Sequence, residues 1–152
     1  MLWIVPTGFA GFRFAEYVAH PRINNSGTLS RADIICAVTS AAEPILKGEW
    51  VRPDTHVNLV GSSYAGPTEA DHDLVVRSRF IADSREGVLR QGAEFLSAKQ
   101  AGLIDDNHIA AEIGQVLAGE IEGRRSAEEI TVYKSLEHIV QDLATAWALD
   151  SG

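Results

Sequence analysis

Four hydroxyl side chains directly follow two apolar segments, where a ligand site could be built. Thr39 and Ser40 follow the apolar run 32–38. Ser62 and Ser63 follow a second run, residues 55–60, after Gly61. If both runs are parallel strands, these hydroxyls lie beyond the carboxyl ends of the strands, where open α/β sheets bind small molecules. An unaided serine hydroxyl holds its proton too tightly to act as a general base. The pattern therefore predicts a site that binds and orients a ligand through hydrogen bonds.

The histidines and the single cysteine do not have the spacing of metal ligands. Cys36 lies within an apolar run, which predicts a small buried thiol, and a lone cysteine cannot form an internal disulfide. His56 lies among apolar strand residues, which favours a core histidine with satisfied hydrogen bonds over a proton donor. We therefore expect no metal site. The histidines without a ligand pattern are His20, His72, His108 and His138.

The hydroxyl-bearing loops need a parallel sheet to hold them. Residues 32–38 follow one another without polar alternation, as expected for a strand that is covered on both faces. Residues 55–60 and 79–82 predict two further strands, and Asp71 can cap a short helix between them. Strand, helix and strand in this order are typical of a parallel crossover unit.

The rest of the chain predicts helices. Ser84 should cap a helix that runs to about Ala101, and another helix should begin near residues 105–107. An extended run over 130–133 precedes a last helix with the most regular amphipathic stripe. The helix that follows 105–107 would carry Ile109, Ile113, Val116 and Leu117, and the last helix would carry Leu136, Ile139, Val140, Leu143 and Trp147.

Composition limits the class of protein. The 152 residues, 45% hydrophobic and 22% charged, suit one globular domain built on a small α/β sheet. The formal charge of −8 repels phosphate backbones, so nucleic acid is not an expected partner. Residues 1–5 are too short a run for a secretory signal or a membrane span, and we expect no membrane association and a cytoplasmic location.

Three segments of the sequence, by their order and the intervals between them, indicate a family. Together they resemble the ornithine cyclodeaminase and mu-crystallin family, whose members share a nicotinamide-binding doubly wound domain. The family includes cyclodeaminases, alanine dehydrogenases and ketimine reductases. The segments are 32–40 (ADIICAVTS) with 43–46 and 48–50, then 56–63 (HVNLVGSS), and then 129–135 (EITVYKS), while 82–86 and 113–119 also fit.

The resemblance implies an α/β fold, an incomplete doubly wound (Rossmann-like) parallel sheet with C-terminal helices. It divides the chain into an atypical N-terminal segment, 1–31, and a partial NAD(P)-binding domain with a C-terminal helix, 32–149. The N-terminal segment 1–31 lacks a clear periodicity of apolar residues, and we expect only a short helix around 13–19. The family's first strand with its glycine-rich turn is expected to be missing, because Gly8 and Gly11 fit an unrelated turn better than a phosphate loop. A truncated member is therefore expected.

The resemblance also implies roles for residues at the carboxyl edge of the sheet. NAD(P)H would be bound by residues in three loops, and each has a simpler alternative: Thr39 as a strand-end cap, Ser135 as a helix cap and Lys134 as a solvated side chain. Glu69, where the family also keeps an acid, would otherwise be a helix-start carboxylate. The cofactor-binding residues implied are Thr39, Ser40, Val60, Ser62, Lys134 and Ser135.

Ser63 is the implied catalytic position. It stands where cyclodeaminases of the family place an aspartate, whereas the ketimine reductases tolerate a serine. The resemblance thus favours NAD(P)H-dependent reduction of a cyclic ketimine such as pyrroline-2-carboxylate. Ornithine cyclodeamination to proline and ammonia, and a non-catalytic remnant that acts only as a binding or assembly partner, are the alternatives. The implied partners are a small imino or amino acid and, in a homodimer, a second copy of the chain.

Overall fold

The computed structural model describes residues 14–16, 26–136 and 139–150, and within them six parallel strands form one sheet. The strands are β1 (Phe14–Glu16), β2 (Ile34–Ala37), β3 (His56–Leu59), β4 (Ser78–Ala82), β5 (Ile109–Glu112) and β6 (Ile130–Lys134). Their order across the sheet is β1-β2-β3-β6-β4-β5. Because every pair is parallel, the carboxyl ends of all the strands meet at one edge. The predicted α/β class with a Rossmann-like parallel sheet is confirmed.

Helices connect the strands, as parallel pairing requires. Asp71 caps the second helix by accepting a hydrogen bond from the Leu74 amide, as predicted. The helices are α1 (Ser26–Leu29), α2 (His72–Arg77), α3 (Arg85–Gln91), α4 (Ala93–Gln100), α5 (Ile113–Leu117) and α6 (Ile139–Asp150), with 3₁₀ turns at Gly48–Trp50 and Asp106–His108. No helix of the described ranges is both long and apolar enough to cross a membrane.

One face of the sheet carries the core. Val57 and Val132 are fully buried on adjacent strands, and Phe80 continues the row on β4. Helices α2 and α4 cover this face, where the rings of Phe80 and Phe95 have centroids 5.5 Å apart. Burial of apolar side chains in this layer therefore fixes α4 against the central strands.

Strand β2 is only half-covered on the opposite face of the sheet, so the expectation that strand 32–38 is covered on both faces is wrong. Ile34 and Cys36 are only half-buried in β2, while the alternate residues Ile35 and Ala37 are fully buried. Cys36 is thus not the buried core thiol that was predicted; its sulfur instead accepts a hydrogen bond from the Asn58 amide at 3.5 Å. Asn58 in turn pairs with His56, so polar side chains of neighbouring strands satisfy one another beside Cys36.

The predicted helix from Ser84 to Ala101 is two helices. Ser84 caps the first by accepting from the Gly87 amide, as expected. Gly92 then interrupts it with an extended backbone (φ −72°, ψ 92°). A side chain there would press on the preceding turn, since a Cβ on Gly92 would lie 2.9 Å from the carbonyl oxygen of Val88. The break turns the chain into α4.

The helix predicted after residues 105–107 is wrong in its first half. Ile109–Glu112 is strand β5, with Ile109 and Ala111 facing the core in alternation. The spacing of Ile109 and Ile113 fits a period of two as well as a helical turn, so the pattern could not separate them. Only Ile113–Leu117 is helical, and Leu117 is exposed.

The N-terminal part of the chain differs from the predicted structure, whereas the C-terminal part forms a helix as predicted. Residues 14–16 form a strand beside β2, so the helix expected around 13–19 is wrong there; the remaining residues of that prediction, and Gly8 with Gly11, lie outside the described residues. The last amphipathic helix is confirmed as α6 from Ile139 onward, whereas Leu136, which was expected on its stripe, lies before the helix and packs against the core. Ile139, Leu143 and Trp147 of its stripe are exposed.

Candidate functional site

The sheet brings the predicted ligand loops together at its carboxyl edge. The ends of β2, β3 and β6 are in register, with Ala37 beside Leu59 and Leu59 beside Lys134. Backbone hydrogen bonds continue past the strands: Val60 N donates to Ala37 O (2.9 Å), and Ser135 N donates to Leu59 O (3.0 Å). Three loops, which contain residues 39–40, 60–63 and 135, therefore start side by side.

A buried carboxylate links the first two loops. Glu69 is fully buried and accepts hydrogen bonds from two backbone amides, Thr39 N at 2.6 Å and Gly61 N at 2.8 Å. It is not a helix-start residue, because α2 begins at His72 with Asp71 as its cap. Charge-assisted bonds of this kind compensate the desolvation of the carboxylate. Glu69 thus fixes the distance between the ends of β2 and β3.

Gly61 allows this close approach. A Cβ built on Gly61 would lie 2.0 Å from the carbonyl oxygen of Thr39 and 2.4 Å from Oε1 of Glu69. Neither neighbour can retreat, because one is backbone and the other is a clamped carboxylate. Position 61 therefore requires glycine for lack of space.

A second buried network lies under the loop after β3. The side chains of Lys134 and Glu94 are fully buried, and Nζ of Lys134 lies 3.1 Å from Oε2 of Glu94. The ammonium also donates to the carbonyl and hydroxyl oxygens of Ser62, and the Ser62 hydroxyl donates to Oε1 of Glu94. The same oxygen of Glu94 accepts the Glu69 amide at 2.9 Å. The two buried networks are thus continuous.

A further carboxylate joins the third loop to β4. Asp83 follows β4 directly and accepts hydrogen bonds from Ser84 N and from Leu136 N, each at 2.6 Å. Leu136 is the residue after Ser135. The start of the segment that leads to α6 is therefore held against the end of β4.

The predicted site residues divide by exposure. Thr39, Val60 and Ser63 are half-buried and Ser40 is exposed, so their side chains can reach a ligand. Ser62 (2% exposed), Lys134 (0%) and Ser135 (6%) lie beneath them. The alternative of a solvated Lys134 is wrong, because its charge is paired inside the protein.

Glu94 and Asp83 were missed as site residues by sequence reasoning. Glu94 is an acid between the apolar residues Ala93 and Phe95 in a helical segment, and that placement is the signal that could have revealed a buried carboxylate. Its partners stand far away in sequence: Ser62 is 32 residues before it. Only the fold shows the pairing.

His56 lies away from these loops, at the start of β3. Its Nδ1 pairs with Oγ1 of Thr131 at 2.8 Å and its Nε2 with Oδ1 of Asn58 at 3.3 Å. The pKa of His56 lies below its ordinary value. Burial is the main cause, the hydrogen bond with Asn58 acts in the opposite direction, and the charge of Arg124 also lowers the pKa. These contacts are those of a neutral, satisfied histidine in the sheet.

The arrangement suits an organic ligand that lies across the three loops. Half-buried hydroxyl and apolar groups face outward from a rigid base of one buried ion pair and backbone hydrogen bonds. In the described part of the chain, no group of three His, Cys, Asp or Glu side chains is placed to hold a metal ion. The loops could border a flat ring such as a nicotinamide, while a glycine-rich turn for its diphosphate is not among the described residues.

Comparisons with known proteins agree with this geometry. The model of the ornithine cyclodeaminase/mu-crystallin family matches residues 22–151. Alanine dehydrogenase of Archaeoglobus fulgidus is 35% identical over 117 residues, which are 77% of this chain and 36% of that protein. Ketimine reductase mu-crystallin of Mus musculus is 39% identical over 115 residues, which are 76% of this chain and 34% of that protein.

A solved structure shows the same fold. The Δ1-pyrroline-2-carboxylate reductase of Thermococcus litoralis, in complex with NADH and L-proline, matches with a TM-score of 0.73 and 36% identity. The match covers 84% of this chain and 41% of that chain. This chain therefore spans well under half the length of the relatives that it matches.

Proposed function

The chain belongs to the ornithine cyclodeaminase/mu-crystallin family, and on that premise we propose that it provides the nicotinamide side of an NAD(P)H-dependent imine reductase site. The substrate would be a small cyclic ketimine acid such as pyrroline-2-carboxylate. Residues 32–149 would form the cofactor-binding unit. Bound NAD(P)H would supply the hydride that adds to the α-carbon of the C=N bond. The π electron pair of that bond would go to the nitrogen, and the oxidised cofactor would leave.

In this reaction, the residues of the chain would bind the cofactor and the substrate and orient them. Thr39 and Ser40 would border the cofactor at the end of β2, and Val60 would pack on its ring. Ser63 would donate or accept a hydrogen bond at the substrate side. Because these loops are already fixed, less freedom of motion of the bound groups has to be lost before hydride transfer.

One observation carries the choice of reduction over cyclodeamination: the three carboxylates that support these loops, Glu69, Glu94 and Asp83, are already engaged. Glu69 and Glu94 are fully buried, and their oxygens are held by backbone amides, Ser62 and Lys134. Asp83 uses both oxygens on backbone amides. Release of ammonia from ornithine needs a group that moves protons, and Ser63 cannot replace a carboxylate in that role. Addition of a hydride to a protonated imine has no such need.

Titration of the full chain with NADH and NADPH, followed by nicotinamide fluorescence, tests the proposal. Saturable binding, together with oxidation of the cofactor when pyrroline-2-carboxylate is added, is the expected result. Release of ammonia from ornithine would show cyclodeamination instead. Absence of binding at millimolar cofactor would contradict the enzyme and leave a non-catalytic partner as the function.

A further inference from the structure

The Glu94–Lys134 pair is buried without an evident gain in stability. Both side chains have 0% exposure, so each charge has lost its hydration. Apolar replacements for such pairs are often neutral or stabilising, which makes stability alone a poor explanation for the pair. What distinguishes this pair is its place: it lies directly under the loop that carries Ser63.

Three contacts hold Ser62, the residue between Gly61 and Ser63. Lys134 Nζ binds both the carbonyl oxygen and the hydroxyl of Ser62. Glu94 accepts a hydrogen bond from the Ser62 hydroxyl, so the side chain of Ser62 is fixed from two directions. With the carbonyl and the hydroxyl both anchored, the peptide that leads to Ser63 has one orientation.

The pair also connects this loop to its neighbours. Oε1 of Glu94 accepts the amide of Glu69, whose carboxylate holds the Thr39 and Gly61 amides. Lys134 is the last residue of β6, directly before Ser135. All three loops of the candidate site are therefore connected to one buried ion pair.

We propose that Glu94 and Lys134 are positioning residues, which hold the Gly61–Ser63 turn in the orientation that hydride transfer to the imine requires. This inference rests on the proposed function. Neither residue touches the ligand in this account; both act through Ser62. A displacement of a reacting group by about 1 Å can lower a rate by roughly 100-fold, so loss of the pair should appear in the chemical step.

The test uses full-length variants. Glu94→Gln keeps the shape and the acceptor oxygen but removes the charge that pairs with Lys134. Glu94→Gln/Lys134→Met removes both charges, so that no buried charge stays unpaired, yet it cannot restore the Lys134 contacts to Ser62. Glu112→Gln is the matched control: its carboxylate also accepts a backbone amide, Arg85 N at 2.7 Å, at the carboxyl end of another strand.

The first measurement, hydrogen exchange of residues 60–66 in the free protein, is independent of activity. We expect faster exchange of this segment in both Glu94 variants and no change in Glu112→Gln. The second measurement is turnover with NADH and with NADH deuterated at the transferred position. We expect kcat to fall roughly 10- to 100-fold in both Glu94 variants, with a larger deuterium isotope effect, because hydride transfer becomes slower than the other steps.

The outcomes separate the two claims. Unchanged exchange in the 60–66 segment, a fall in kcat without a change in isotope effect, or full recovery of kcat in the double variant would overturn the positioning role. Failure of both Glu94 variants to fold would also overturn it, since the pair would then be structural. A wild-type chain without turnover would contradict the proposed function, while exchange would still decide whether the pair holds the loop.

Discussion

Gly61 is the residue at which the loops after β2 and β3 come closest. Replacement by alanine would place a Cβ 2.0 Å from the Thr39 carbonyl oxygen, which is backbone and cannot swing away. We predict that Gly61→Ala lowers the free energy of unfolding by about 1–3 kcal/mol or more, measured by urea denaturation.

Gly114→Ala is the control for this prediction. A Cβ on Gly114 meets nothing within 4 Å, and the residue lies in α5, where alanine is favoured over glycine. The control should be neutral or slightly stabilising. Equal destabilisation by both substitutions would show that position 61 is not as crowded as described.

Ser63 should contribute a hydrogen bond and no acid–base chemistry. We therefore predict that Ser63→Ala lowers kcat/KM for pyrroline-2-carboxylate by only about 3- to 10-fold, as expected from the loss of one neutral hydrogen bond. Steady-state kinetics with the purified variant checks this. A loss of roughly 1000-fold or more would mean that the hydroxyl takes part in proton transfer and would refute the orienting role.

His56 predicts how stability depends on pH. Its pKa is lowered in the folded protein, first by burial, so the unfolded chain binds the proton more readily. The contribution of His56 to stability is thus full above the ordinary pKa of 6.5 and is lost as the pH falls below it. Urea denaturation at several pH values should show a smaller loss of stability on acidification in His56→Gln than in the wild type. An identical pH dependence in both proteins would contradict this assignment.

At the scale of elements, the strands that could be predicted were short segments rich in apolar residues. Strand β3 lies within the predicted range 55–60, and β4 begins one residue before the predicted range 79–82. A single carboxylate, Asp71, was enough to predict where α2 begins. Strand β5 was hidden because its spacing also fits a helix. The Glu94–Lys134 network could not be predicted, because Lys134 meets Ser62 across 72 residues of sequence.

The two faces of β5 offer a test of the element that was mispredicted. Ala111 is 5% exposed and faces the core, whereas Ala110 points the other way and is half-buried. We predict that Ala111→Asp costs at least about 2 kcal/mol of unfolding free energy, because it buries a charge without a partner. Ala110→Asp should cost less than about 1 kcal/mol. Thermal or urea denaturation would show the difference, and equal costs would argue against the alternation of a strand.

For the whole molecule, the strands among the described residues form one sheet, the candidate site lies at its carboxyl edge, and the last helix exposes an apolar stripe. Trp147 and Leu143 of α6 are 73% and 62% exposed. The match to only 34% to 41% of the length of its relatives means that binding of a dinucleotide by this chain has to be measured directly.

Transfer of deuterium is the most direct test of the central claim. The full chain is incubated with pyrroline-2-carboxylate and NADH deuterated at the transferred position, and the product is analysed by mass spectrometry. We predict proline that carries one deuterium at its α-carbon. Absence of proline, or proline without the label, would contradict the claim that the loops at the carboxyl edge hold a nicotinamide for imine reduction.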